Sequence, residues 1–157
     1  MTIRVAVPSD RAQLRAIFDH IVETGQGFPE AHPLDDERFA ASWIDPPVVV
    51  VAVDGEVGSD RVLGAYYLKP NFPGRAAHIA NAGYVVAEWA RGRGIGQSLV
   101  EDSIVRAPRE GFDAIQFNLV FESNPARALY ERLGWREIGR IPRGVADQPA
   151  LIYWRDV

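Results

Sequence analysis

No cysteine occurs among the 157 residues. Its absence excludes a disulfide framework, thiolate metal ligands and a cysteine nucleophile together. Methionine occurs once and histidine three times, and His20, His32 and His78 have no ligand-like spacing to a carboxylate pair, so no metal site is expected. Nor is there a surplus of positive charge. With 17 Lys and Arg against 21 Asp and Glu the formal net charge is -4, so no nucleic-acid partner is expected. Long apolar runs are missing as well: Val48 to Val53 is far shorter than the roughly 20 residues that cross a bilayer. Met1 to Asp10 carries Arg4 and reaches Pro8 before any apolar core of a signal peptide, so a cytoplasmic protein is expected, with no membrane partner. What the chain does have is a 47% hydrophobic share, enough for one domain over residues 1–157 with a sizeable core.

Thr2 to Val7 alternates apolar and polar residues and ends at Pro8, the pattern of a first strand. Ser9 or Asp10 is placed to cap a helix carrying Leu14, Ile17, Phe18 and Ile21 to about Glu23, and Asp35-Asp36 opens a shorter one with Phe39 and Trp43. Acidic residues at 35–37 suit a helix N-terminus. Val48–Val53 and Val62–Leu68 flank a turn-forming segment, Asp54 to Arg61, and read as an antiparallel hairpin; His78–Val86 follows as a third strand of the group. A helix through Leu99, Val100, Ile104 and Val105 then runs to about Pro108, followed by a strand from Ala114 to Val120. Asn124-Pro125 offers a cap and a first-turn proline for a last helix, which Gly134 stops. Trp135–Ile141 and Ala150–Trp154 close the chain as strands separated by a polar loop, Pro142 to Pro149. The order gives an α/β (α+β) fold of about seven strands in one sheet flanked by about four helices.

The sharpest local signal is Arg91-Gly92-Arg93-Gly94-Ile95-Gly96, set between a strand and a helix. Glycines let a backbone approach a ligand closely, the helix start presents unbonded N–H groups, and two arginines add positive charge, which together suit a diphosphate. Gln97 replaces the glycine of a dinucleotide fingerprint, and the Lys-Ser/Thr of a Walker loop is missing. A phosphate-binding module and a plain tight turn remain open on these residues alone.

Arg-x-x-Gly-x-Gly at Arg91, Gly94 and Gly96 resembles the acyl-CoA signature of the GCN5-related N-acetyltransferase (GNAT) superfamily, and Asn124 through Tyr130 to Leu133-Gly134-Trp135 resembles a later helix of that family. The resemblance implies a mixed, mostly antiparallel sheet whose fourth and fifth strands splay apart around the pantetheine arm of acetyl-CoA. It implies acetyl transfer from acetyl-CoA to the amine of a small molecule, and two like subunits. In that resemblance Tyr130 protonates the leaving thiolate, an N–H at Val85 or Val86 receives the oxyanion, residues 91–96 hold the diphosphate, and Asn124 holds the pantetheine or phosphate arm. Other readings are that Tyr130 packs as a core aromatic, that Asn124 is simply a cap, and that the whole is a non-catalytic acyl-CoA-binding module or acts on a protein N-terminus or lysine. Asn81 to Val86 and Phe117 to Phe121 resemble the branch that acetylates proline analogues and small imino acids. Asparagine in an apolar strand is costly unless bonded, so Asn81 and Asn118 are substrate candidates, with the backbone N–H groups of Asn118 and Leu119 for a carboxylate; bonding to nearby loops is the alternative. Glu88 and His78 offer no convincing general base, and residues 23–43 match no feature of that branch.

Overall fold

A computed structural model describes residues 1–55 and 60–157. Its elements are β1 (Thr2–Val5), α1 (Arg11–Glu23), α2 (Asp36–Trp43), β2 (Val48–Asp54), β3 (Arg61–Pro70), β4 (Ile79–Val86), α3 (Ile95–Arg106), β5 (Ala114–Phe121), α4 (Arg127–Arg132), β6 (Arg136–Val145) and β7 (Gln148–Asp156), joined in places by short 3₁₀ turns. The strands form one seven-stranded sheet in the order β1-β2-β3-β4-β5-β7-β6. Every neighbouring pair is antiparallel except β4 and β5.

The valine run of β2 does not alternate because both of its faces are covered. Val48, Val50 and Ala52 pack with Ile95, Leu99 and Val100 of α3, whereas Val49, Val51 and Val53 pack with Leu14, Phe18, Ile21 and Val22 of α1 and with Phe39 and Trp43 of α2. Thus α1 and α2 cover one face of the sheet and α3 the other, with Tyr130 of α4 in the core on the α3 side. β4 and β5 pair only from Ile79 to Asn81 and from Ala114 to Gln116; beyond that point they part.

Several boundaries differ from the sequence expectation. β1 stops at Val5, and Val5 and Val7 are exposed, because β1 is an edge strand paired only with β2. Neither Ser9 nor Asp10 caps α1 with its side chain; the Asp10 carboxylate turns back to accept the Val7 N–H at 2.8 Å. Asp35 does cap α2, accepting the Arg38 N–H at 2.7 Å. The last helix begins at Arg127, since Asn124 and Pro125 form a turn in which Asn124 Oδ1 accepts the Ala126 N–H. The expected polar loop 142–149 is instead a continuation of β6 and β7, turning at Ala146, whose φ is +50°. Residues 56–59 of the expected Asp54–Arg61 turn lie outside the described residues.

One polar cluster ties the edge of the sheet to the start of α1. Arg4 donates to both Asp10 oxygens at 2.8 and 3.0 Å and to Asp60 Oδ2 at 2.9 Å. Burial raises the Asp10 carboxyl, but the Arg4 hydrogen bonds and the Val7 N–H outweigh it and hold it below its ordinary value. Because the folded value is depressed, the stabilisation is present above the unfolded value of about 3.9 and is lost as pH falls through the folded one. Replacing Asp10 by Ala leaves Arg4 with Asp60 alone and the Val7 N–H without its acceptor, and is expected to cost about 1–3 kcal/mol in urea unfolding at pH 7. The difference is expected to shrink as the pH is lowered into the acid range, as the Asp10 carboxyl becomes protonated in the folded protein too.

Candidate functional site

The parting of β4 and β5 opens a cavity of about 680 Å³. Asn81, Tyr84 and Val86 line one arm, Phe117 to Phe121 the other, and Leu129 and Tyr130 of α4 the side. At the crotch Asn81 Nδ2 donates to Gln116 O at 3.1 Å, and Asn81 Oδ1 accepts from the Tyr67 hydroxyl at 3.2 Å. The side chain of Asn81 therefore holds the fork while still facing the cavity.

After β4 the chain makes a 3₁₀ turn at Glu88–Ala90 and then runs through the glycine loop into α3. Gly92 and Gly94 have φ of +76° and +77°, which L side chains rarely adopt, so glycine is required there by the backbone. The buried Ile95 side chain anchors the first turn of α3. No acceptor is present among the described residues for the amides of residues 92–97, the last of them the orphan donors of the helix start. Arg91 and Gly96 line the cavity, whereas Arg93 leans away to Asp54 at 3.4 Å.

Ladder parity separates the two backbone amides considered for an oxyanion. Ala87 N–H bonds Leu63 O and Asn71 N–H bonds Ile79 O, so in the register that pairs Ala65 with Val85 the odd-numbered residues of β4 bond to β3. Val85 is thereby engaged, and its side chain packs into the core under α1 and α2. Val86 points its amide toward the fork and lines the cavity. Of the two, only Val86 faces the space where a ligand would lie.

Tyr130 is buried against Phe117, with ring centroids 4.8 Å apart, and is flanked by Tyr84 and Trp135 at 6.3 and 6.0 Å. Its ring is thus a core aromatic and its hydroxyl, which has no bonded partner among the described residues, belongs to a cavity-lining side chain. Burial pushes the phenol up to about 12, so it is a held proton across the neutral range. Tyr84 is raised further by burial while its hydroxyl shares a 2.8 Å bond with Ser103, which commits it to α3.

Asn118 lies differently from Asn81. Its side chain is exposed and exchanges amide bonds with Asn71 at 2.7 and 3.0 Å, while Gln116 Nε2 donates to its Oδ1 at 2.9 Å. A register shift between Phe117 and Val120 leaves Asn118 and Leu119 outside the regular pairing with β7, and both residues line the cavity. Asn124 lines it too, with its Oδ1 closing the turn to Ala126. His78 meets Arg75 O, and Glu88 pairs with His20 at 2.7 Å beside a separate surface hollow, so neither reaches the fork.

Sequence reading missed the wall contributed by the segment between α1 and α2. Gly25 to Glu30 and Tyr67 line the cavity opposite the glycine loop. Gly25, Gly27 and Pro29 signal a break in helix, but nothing local indicates where the resulting loop comes to rest.

A family model described as the acetyltransferase (GNAT) family matches residues 14–135. A solved GCN5-related N-acetyltransferase from Kribbella flavida is 36% identical, covers 99% of this chain and 97% of that one, and superposes with a TM-score of 0.90. N-acetyltransferase aca1 of Schizosaccharomyces pombe is 40% identical over 110 residues, 69% of this chain and 49% of that protein, so the chain spans about half the length of this relative. The phosphinothricin acetyltransferase of Sinorhizobium meliloti, solved in complex with AcCoA, shares the fold at 22% identity and a TM-score of 0.82, over 99% of this chain and 88% of that one. The match over residues 14–135 and the likeness over nearly the whole length of the Kribbella flavida protein establish that the chain belongs to the GNAT acetyltransferase family.

Proposed function

We propose that residues 1–157 act as one N-acetyltransferase domain that moves an acetyl group from acetyl-CoA to the amine of a small amino or imino acid. One observation carries the reading: the amides of residues 92–97 have no acceptor among the described residues, and Arg91 and Gly96 of this stretch line the cavity. A diphosphate supplies acceptors for those donors, and the cavity between β4 and β5 has room for the narrow arm that leads from it to a thioester. The residues present therefore fit acetyl-CoA. When bound, it supplies an acyl group activated as a thioester.

The protein's own groups divide the remaining work. Val86 N–H is oriented toward the fork and donates to the carbonyl oxygen as negative charge develops there. Tyr130 holds a proton at its hydroxyl and gives it to the departing sulfur. A phenol near 12 is a weaker acid than a thiol of about 8.5 in water. A departing thiolate beside the apolar lining would be raised by desolvation as well, which would narrow the gap. For the acceptor, the backbone at Asn118 and Leu119, displaced from regular pairing, suits a small carboxylate, and Asn81 keeps donor capacity toward the same space. Asn81 and the displaced backbone at 118–119 suit a compact acceptor with its own donor and acceptor groups better than a polyamine or a peptide. Two like subunits in the cytoplasm belong to the same reading, and light scattering reports the subunit number.

Calorimetry with acetyl-CoA, followed by a thiol-release screen over amino acids, proline analogues, amino sugars, polyamines and short peptides, tests the reading. Binding with release on small amino or imino acids is expected. Binding without release on any amine would point to a non-catalytic acyl-CoA module, and release on peptides alone to a protein acceptor. Tyr130→Phe keeps the ring and deletes a hydroxyl that has no partner among the described residues, so the fold should be unaffected. Turnover is expected to drop about 10²-fold with acetyl-CoA affinity nearly unchanged; full turnover would return Tyr130 to a packing role.

A further inference from the structure

Strands and α4 leave one side of the cavity to the segment between α1 and α2. Phe28 fastens that segment by packing edge-on against Phe18 of α1, with centroids 5.0 Å apart. At its far end Glu30 lines the cavity, and its Oε2 is shielded from solvent yet has no hydrogen-bond partner among the described residues. An acceptor oxygen in that condition costs free energy in the empty protein. Lys69 of β3 lies close enough for its charge to interact with that of Glu30, but makes no hydrogen bond to it: its Nζ donates to Ala41 O at 3.1 Å and lies over the Tyr67 ring at 4.9 Å. Besides Lys69, the titratable groups around the cavity are Tyr67 of β3, Tyr84 of β4, Arg91 of the glycine loop and Tyr130 of α4, so Glu30 is the one carboxylate among its lining residues.

We propose that Glu30 is the ammonium-binding and proton-accepting group of the acceptor site. The inference rests on the acetyl-transfer reading and adds the part it lacks. A small amino or imino acid arrives with its nitrogen protonated and unreactive. Glu30 draws in that cation and takes one proton from it. The freed lone pair forms the N–C bond at the thioester carbonyl, whose oxygen accepts from Val86 N–H. The C–S bond breaks, and sulfur takes the Tyr130 proton. The second proton leaving nitrogen restores Tyr130 through solvent, and the one on Glu30 passes to bulk water, so each turnover releases one proton.

L-Proline and its ring-oxygen isostere, tetrahydrofuran-2-carboxylate, are the probes. Without acetyl-CoA, the wild-type protein is expected to bind proline about tenfold or more tightly than the isostere, and Glu30→Gln to lose that preference. With acetyl-CoA, wild-type kcat/KM for proline should stay nearly level from about pH 6.5 to 9, because the protein itself takes up the proton of the ammonium. Glu30→Gln should be about 10²-fold slower at pH 7 and gain about tenfold per pH unit, as free amine accumulates, so that the two converge. Glu30→Asp should keep the level profile at a reduced rate. A deficit in Glu30→Gln that is constant with pH would mark a structural role and overturn the proposal, as would an unchanged rate. Equal binding of proline and isostere by the wild type, or no binding of either, also overturns it. Failure to bind acetyl-CoA or to release thiol sinks the acetyl-transfer reading instead, and the binding comparison still decides Glu30.

Discussion

The fork begins where the parallel ladder between β4 and β5 ends, at the Asn81–Gln116 pair. A strand that leaves its neighbour in the middle of a sheet exposes donors and acceptors that the interior must satisfy or leave to a ligand. Here one side chain marks the limit: Asn81 donates across to Gln116 O and stops the opening from running further back. Tyr67 holds that asparagine, and it has room to do so because Gly83 has no Cβ; one built there would lie 2.7 Å from the Tyr67 ring. Past the crotch the two arms are joined by aromatic contact instead of backbone bonds. Phe117 of β5 meets Tyr84 of β4 edge-on at 5.9 Å and stacks on Trp135 at 5.1 Å. The gap is thereby kept open near the mouth and packed at its floor.

Charge around this gap is distributed unevenly. On the α3 side are Arg91, the positive end of a helix and amides without an acceptor among the described residues; on the α1–α2 side is Glu30, the one carboxylate among the described lining residues. The phenols Tyr84 and Tyr130, raised by burial, line the same cavity and remain neutral and protonated. The lining thus offers one region suited to an anion and one group suited to a cation, together with uncharged aromatics. That polarity would orient a two-substrate reaction before any atom of either substrate reacts.

Features determined by neighbours in the chain were legible in the sequence. The helix opened at Asp35, the strand Val48–Asp54 and the glycine turn before α3 depend on a few adjacent residues, and so does the stop at Gly134. Features determined by where a segment comes to rest were not. Asn124 looked like a cap because Pro125 follows it, yet the helix begins later, at Arg127. The polar composition of 142–149 hid an edge hairpin whose strands need only one buried face. Glu30 was invisible for the same reason: its neighbours Gly27, Phe28 and Pro29 describe a loop, and only packing of Phe28 on Phe18 brings that loop over the fork. The equivalence of Val85 and Val86 in sequence was broken only by the ladder, which engages one amide and leaves the other.

The row of amides at the start of α3, without acceptors among the described residues, also bears on how long the protein lasts. Leu99 and Val100 of the same helix sit in the core that contains β2, β3 and β5, so α3 cannot loosen without disturbing the sheet. An anion seated at residues 92–97 binds the folded chain and has no such cradle in the unfolded one, and its occupancy adds to stability by mass action. Proteolytic lifetime in the cell would then follow the supply of that anion, and a protein starved of it would be cleared sooner than one kept loaded.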